Sequence, residues 1–179
     1  MTVADFRPAH TTASVTTQSG EHPGWPFAEM LSDERPELVL RVVAAESMSA
    51  LRERNLRRAL ADLERIATRL RGWDGSDGLP LAADALVTAA RLVVRLSRDD
   101  DLLPHLVPLS TGGVQLEWHV AGRSLEIEVD RRGRPHFLAV TAGGDVMLDE
   151  EPAPGRIELG LGKARHFLDD LASLLRGAR

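Results

Sequence analysis

The segment Val114-Gln115-Leu116-Glu117-Trp118-His119-Val120 and the nearby segment Leu125-Glu126-Ile127-Glu128-Val129-Asp130 decide the fold. Apolar and polar side chains alternate along both, which is typical of strands that bury one face. Ala121 and Gly122 suit a two-residue hairpin turn, and that register places Trp118 opposite Leu125 and Leu116 opposite Ile127. A slip of one residue would send these apolar side chains to opposite faces, so turn and pattern predict the same antiparallel pairing.

Two more turns extend the hairpin into a meander. Arg131-Arg132-Gly133 predicts a three-residue loop that places Phe137 opposite Ile127, and Gly143-Gly144 predicts another tight turn. An edge strand is expected between residues 103 and 109, because its two prolines would be unwelcome in a central strand. The other strands are predicted at 114–120, 123–130, 135–141 and 145–149.

Helical patterns occur before and after the meander in the sequence. Apolar residues at spacings of three and four predict helices at about 49–71, where Leu70 closes the apolar stripe and Gly72 stops the helix, at 80–97, opened by Pro80, and at 161–176. The sequence therefore predicts an α+β fold, with an antiparallel β-meander of four to five strands packed on one face by two helices, and a C-terminal helix.

The chain is predicted to hold one domain. Residues 1–35 are rich in Thr, Ser, Pro, Gly and His and show no periodicity, so they predict a disordered leader. Residues 36–179 are predicted to form the single α+β domain. Within it, residues 37–45 fit either a helix opened by Pro36 or a strand.

Composition limits the function classes. The 179 residues include no cysteine, which excludes disulfides and thiol nucleophiles and fits the cytoplasm. No signal peptide or membrane-length apolar run occurs, so no membrane partner is expected. A net charge of -5, an aromatic content of 4% and the lack of tyrosine argue against coating or stacking on nucleic acid.

The hairpin register also assembles a polar face, with Glu117 directly opposite Glu126. Like charges in that position cost about 0.2 to 1 kcal/mol, so the arrangement invites an explanation. Three explanations stay open. In the first, the face is merely solvated, and Arg123 and Arg134 relieve the repulsion between the carboxylates. In the second, the face docks a basic partner. In the third, it forms a metal or acid/base site from Glu117, Glu126, Glu128, His119 and His136.

Apolar residues share this face. Leu138, Val140 and Met147 are expected there, and they must be covered by the C-terminal helix, by the leader or by another chain. The preferred hypothesis is a non-catalytic protein-interaction or accessory module that binds a protein partner, or a second copy, through this surface. No catalytic residue, metal ligand or cofactor is expected. The predicted partner-binding residues are Glu117, Glu126, Glu128, His119, His136, Leu138, Val140 and Met147.

Two alternatives remain. One is a small metal-dependent hydrolase that uses the Glu and His side chains of the sheet. The other is a nucleic-acid-contacting accessory protein that uses the arginine-rich first helix, through Arg54, Arg57, Arg58 and Arg65.

Short motifs add a resemblance. Gly72-Trp73-Asp74-Gly75 precedes Gly112-Gly113-Val114-Gln115-Leu116-Glu117-Trp118, and Leu125-Glu126-Ile127-Glu128 follows. In this order the segments resemble a widespread group of small uncharacterised bacterial proteins with "GWDG", "GG-x-x-L-E-W" and "L-E-I-E" motifs. The resemblance covers about residues 55 to 141 and implies the helix-helix-meander order. It implies no activity, and Trp73 and Trp118 are expected to be structural.

Overall fold

The computed structural model describes residues 49–100, 102–153 and 156–177. The five strands form one antiparallel sheet in chain order, which confirms the α+β class and the predicted meander. The expected leader and residues 37–45 lie outside the described residues. The elements are α1 (Ala50–Ala67), α2 (Ala83–Leu96), β1 (His105–Pro108), β2 (Val114–Val120), β3 (Arg123–Val129), β4 (Pro135–Val140), β5 (Val146–Glu150) and α3 (Ile157–Gly177).

The central hairpin has the predicted register. Trp118 pairs with Leu125, and Leu116 pairs with Ile127. The turn residues Ala121 and Gly122 have φ of 49° and 78°. Both values are left-handed, as a two-residue turn that matches strand twist requires. The predicted pairing of Phe137 with Ile127 is also present.

All three helices pack on the inner face of the sheet. The inward side chains of the strands share one hydrophobic core with residues of α1, α2 and α3, and Trp118 is only 2% exposed. Polar contacts hold the helices together: Arg98, just after α2, bonds Asp100 at 2.8 Å and Asp169 of α3 at 2.7 Å. The buried Asn55 of α1 donates to the Asp100 carbonyl at 2.6 Å. The described part of the chain therefore forms two layers, with its helices on one side of the sheet.

Helix α1 ends earlier than predicted. Its C-cap is Thr68, whose N–H donates to the carbonyls of Glu64 and Ile66, and the N–H of Arg69 also donates to Ile66. These bonds tighten and end the last turn. Leu70 was predicted to close the apolar stripe, but it is 79% exposed because the chain has already left the helix.

Helix α2 begins at Ala83 rather than near Pro80. Leu79 and Ala82 donate their N–H groups to the carbonyls of Ser110 and Gly112. These tertiary bonds hold residues 79–82 beside the loop that precedes β2. A proline suited to a first helical position is here part of an extended connection.

Helix α3 begins before Leu161 and has two glycines in its first two turns. Gly160 lies against the ring of Phe137, and a Cβ there would meet the ring carbon Cε2 at 2.8 Å. Gly162, in the same helix, has no atom within 4 Å of such a Cβ. The first glycine therefore permits close helix-to-sheet packing, while the second is an exposed helix position.

These two glycines predict opposite effects of alanine. Gly160→Ala should lower the free energy of unfolding by about 1 to 2 kcal/mol, because overpacking against a fully buried ring outweighs the gain in helix propensity. Gly162→Ala should raise it by up to about 1 kcal/mol. Chemical denaturation of both variants tests this, and equal effects at the two positions would contradict the packing.

The loop after α1 is organised by Asp74. Its Oδ1 accepts the N–H groups of Ser76 and Gly78 at 2.9 and 3.0 Å. These bonds lower the pKa of Asp74, and the bond from Ser76 has the larger effect. Trp73 donates Nε1–H to the Leu79 carbonyl at 3.0 Å, and the guanidinium of Arg69 lies 4.6 Å from the centre of its ring. The GWDG segment is therefore a structural loop.

Asp74 predicts an acid-sensitive contribution to stability. A carboxylate whose pKa is lowered on folding stabilises the fold above its unfolded pKa, and that stability is lost as pH falls through the folded value. Asp74→Ala should lower the melting temperature at pH 7, and the difference from wild type should shrink as pH drops below about 3.9. Asp77→Ala, in the same loop but without such bonds, is the control and should change little.

Candidate functional site

The face of the sheet opposite the helices carries the predicted site residues. This outer face is arranged in three rows that run across the strands, because the pairings align its outward residues. The central row contains His105, Glu117, Glu126, Leu138 and Asp149. The second row contains Val107, Gln115, Glu128 and His136, and the third contains His119, Ser124, Val140 and Val146.

Carboxylates and imidazoles meet on this face. Glu117 Oε2 lies 3.6 Å from His105 Nδ1 and 3.4 Å from His119 Nε2. His136 Nε2 lies 2.7 Å from Asp149 Oδ1. The structure therefore brings the predicted Glu117 and His119 together, but it pairs His136 with an aspartate of β5 in addition to placing it opposite Glu128.

The like-charged pair is present as predicted. Glu117 lies directly opposite Glu126, and Glu126 accepts a hydrogen bond from Gln115 Nε2 at 2.8 Å. The Gln115 amide is a neutral donor, so this hydrogen bond does not compensate the negative charge of Glu126. Glu128 is exposed and its carboxylate has no bond to another described residue.

The nearby arginine does not neutralise these glutamates. Arg134 bonds Asp130 at 2.6 Å and lies 3.4 Å from Glu151. Partial burial raises the pKa of Asp130, but the N–H and guanidinium of Arg134 and the N–H of Arg132 outweigh it and lower the pKa. Arg134 is thus engaged at the rim, and no arginine of the described residues bonds Glu117, Glu126 or Glu128.

An apolar corner adjoins the acids at β4 and β5. Leu138 and Val140 are half-buried, while Val146 and Met147 are 59% and 65% exposed. A register shift between Ala139 and Val140 makes room for an extra residue in β5. This bulge leaves both Val146 and Met147 exposed at the edge of the sheet.

The C-terminal helix does not cover this corner. Its apolar residues, including Leu161, Leu168 and Leu171, are buried in the core on the inner face. The sequence suggested three possible covers for these apolar residues, and the prediction that α3 is one of them is therefore wrong. The apolar stripe of α3 correctly predicted that the helix is buried, but it could not predict on which face of the sheet the helix packs.

The outer face offers no metal centre among the described residues, since no group of three or more His, Asp or Glu there is arranged to hold an ion. A cavity of about 10 Å³ lies instead inside the molecule, where Trp118 and Ser97 line it together with Asn55. Trp118 Nε1 and Ser97 Oγ are buried there without a partner in the described chain. The space is about that of one water molecule, too small for a substrate.

The arginines of α1 lie on the helical layer, away from the outer face. Arg54, Arg57, Arg58 and Arg65 are all exposed. Arg57 pairs with Glu53, and Arg65 pairs with Asp62 at 3.0 Å. None of the helices in the described residues has both the length and the apolar character of a membrane span.

His105, Asp149 and Val146 contribute to the candidate site but were not among the predicted site residues. His105 joins through the pairing of β1 with β2, and Asp149 joins through the pairing of β4 with β5. The alternation of β5 would have indicated Asp149, given the register of β5 on β4. The exposure of Val146 could not be predicted from the sequence, because it results from the bulge that leaves Val146 and Met147 exposed side by side.

The facing glutamates predict a stabilising substitution. Glu117→Gln should raise the free energy of unfolding by about 0.2 to 1 kcal/mol at low salt, because it removes the repulsion from Glu126. At about 1 M salt the gain should shrink. Urea denaturation at pH 8 measures it. Glu128→Gln is the control, since its cross-strand neighbours are Gln115 and His136, and an equal gain there would contradict a pairwise repulsion.

Comparison with known proteins gave no match to a family model, a curated protein or a solved structure.

Proposed function

We propose that this protein is a non-catalytic interaction module whose outer face binds a basic, amphipathic protein segment. The observation that carries the proposal is that, within residues 49–177 as described, all three helices pack on one face of the sheet. The other face then combines an apolar corner with carboxylates that no described arginine or lysine pairs with. We also propose a cytoplasmic, bacterial setting as an accessory subunit, supported by the cysteine-free composition and the motif resemblance.

The apolar corner supplies affinity in this proposal. Val146 and Met147 together expose apolar surface at the edge of the sheet, and Leu138 and Val140 continue it inward. Burial of apolar area contributes about 25 cal/mol per Å². A partner that covers this corner therefore gains free energy by removing these side chains from water.

The carboxylates supply orientation. Glu126 and Asp149 flank Leu138 in the central row, and Glu128 adds a charge in the next row. A basic residue beside an apolar one would meet complementary groups at strand spacing, and charge complementarity directs encounter and register more than it adds affinity. The same flat face lacks the concavity that excludes water from an active site, so it favours binding over catalysis.

A cationic probe tests the proposal. The probe is a fluorescein-labelled amphipathic peptide of Lys, Leu and Ala, and fluorescence anisotropy reports its binding to the full chain. Glu126→Gln with Glu128→Gln should raise the Kd roughly threefold to tenfold, since each removed charge costs up to about 1 kcal/mol. Met147→Asn should also weaken binding by removing apolar contact.

The matched control is Asp77→Asn with Asp170→Asn, which removes the same charge from exposed positions elsewhere. It should bind the peptide as the wild type does. Equal weakening by the control would show that net charge alone attracts the peptide, and the proposal would be wrong. Circular dichroism confirms that each variant is folded.

A further inference from the structure

Helix α1 carries a basic stripe on the side that faces away from the core. The stripe consists of Arg54, Arg58, Ala61 and Arg65, all of them exposed. Spacings of four, three and four residues place these side chains on one line along a helix. The buried residues of α1 lie on the opposite side: Asn55, Leu56, Ala59, Leu60, Leu63 and Ile66.

The charges of this basic stripe are available. Arg54 and Arg58 form no hydrogen bond or ion pair with another residue of the described ranges. Arg65 bonds Asp62 at 3.0 Å in an exposed i,i+3 pair, and such pairs contribute little to stability. The stripe can therefore accept carboxylates from another molecule at small cost.

The central row of the outer face has the complementary order. Across β2, β3, β4 and β5 it reads acid, acid, leucine, acid, whereas the basic stripe reads arginine, arginine, alanine, arginine. At a rise of about 1.5 Å per residue the stripe spans about 16 Å. Three strand spacings of about 4.8 Å span about 14 Å. The long side chains absorb this difference.

The match has a direction. In one orientation Arg54 meets Glu117, Arg58 meets Glu126 and Arg65 meets Asp149, which leaves Ala61 over Leu138. The small alanine lets the helix approach the apolar row there. In the reverse orientation Ala61 would face Glu126 and Arg58 would face Leu138, so one carboxylate and one guanidinium would lose their partners.

The contact must join two molecules. In its own chain, α1 packs on the inner face of the sheet, and its stripe points away from that sheet. We infer that the basic stripe of α1 from a second copy of this chain binds the central row of the outer face, in a head-to-tail contact; the apolar side of α1 stays buried in its own core. This inference rests on the proposed function, because it names the occupant of the same surface. A contact between two different faces generates a ring or an open chain of subunits.

Paired charge reversals test the inference on the full-length protein. Sedimentation velocity at low ionic strength should show a mass that rises with concentration, and about 1 M salt should abolish the rise. Glu117→Arg with Glu126→Arg, and separately Arg54→Glu with Arg58→Glu, should each weaken self-association about tenfold or more. An equimolar mixture of the two variants should associate again, because each now offers a face complementary to the other.

Two further variants keep the result decisive. Asp77→Arg with Asp170→Arg changes the charge equally on other exposed positions and should self-associate as the wild type does. Glu117→Gln with Glu126→Gln removes the charges without reversing them and should weaken association if the reversed variant fails to fold. A wild type that stays monomeric at low salt, or a mixture that fails to associate, would overturn the inference. If the outer face still binds the Lys, Leu and Ala peptide in that case, the proposed function holds with a different partner.

Discussion

The structure depends on the register of the β2–β3 hairpin. Ala121 and Gly122 accept left-handed backbone angles, so the turn closes in two residues and leaves no freedom to shift the pairing. Because strand side chains alternate, that register places Trp118, Leu125 and their apolar neighbours on one side. Full burial of each such side chain contributes about 1.5 to 3 kcal/mol, which far exceeds the repulsion that the same register imposes between Glu117 and Glu126. The acidic outer face is thus a consequence of building the core.

The helices follow from the same constraint. The inner face offers the continuous apolar surface against which the stripes of α1, α2 and α3 pack. The place of α3 is defined further by Gly160, which lets the helix backbone approach Phe137. Arg98, bonded to Asp100 and Asp169, links the end of α2 to α3. Because α1, α2 and α3 all lie on one side, no helix of the described residues covers the outer face.

Local signals predicted the sheet well because turn chemistry and period-two alternation act over a few residues. The pairing of β2, β3 and β4, including Glu117 opposite Glu126, could be read from the sequence. The ends of the helices could not be predicted from the sequence, because they depend on distant partners. The Leu79 N–H, for example, donates to the Ser110 carbonyl, and this bond keeps Pro80 outside α2. The side on which α3 packs is equally invisible, since an apolar stripe specifies burial but not the surface that buries it.

The candidate site was predicted in part for the same reason. Glu117, Glu126, Glu128, His119 and His136 follow from alternation once the hairpin is in register. Asp149 and Val146 depend on how β5 pairs with β4, and the bulge after Ala139 changes that pairing. No local signal in Val146-Met147 announces an extra residue. The apolar corner beside the acids therefore became visible as a whole only in three dimensions.

The division of charge between the two layers has one origin. Burying the apolar stripe of α1 against the inner face turns its arginines outward on the helical side, and burying the apolar half of β2 and β3 turns their glutamates outward on the other. One core therefore separates the basic stripe and the central row to opposite sides of the molecule. Complementary groups held apart in this way cannot neutralise each other within one chain, so they are free to do so between chains.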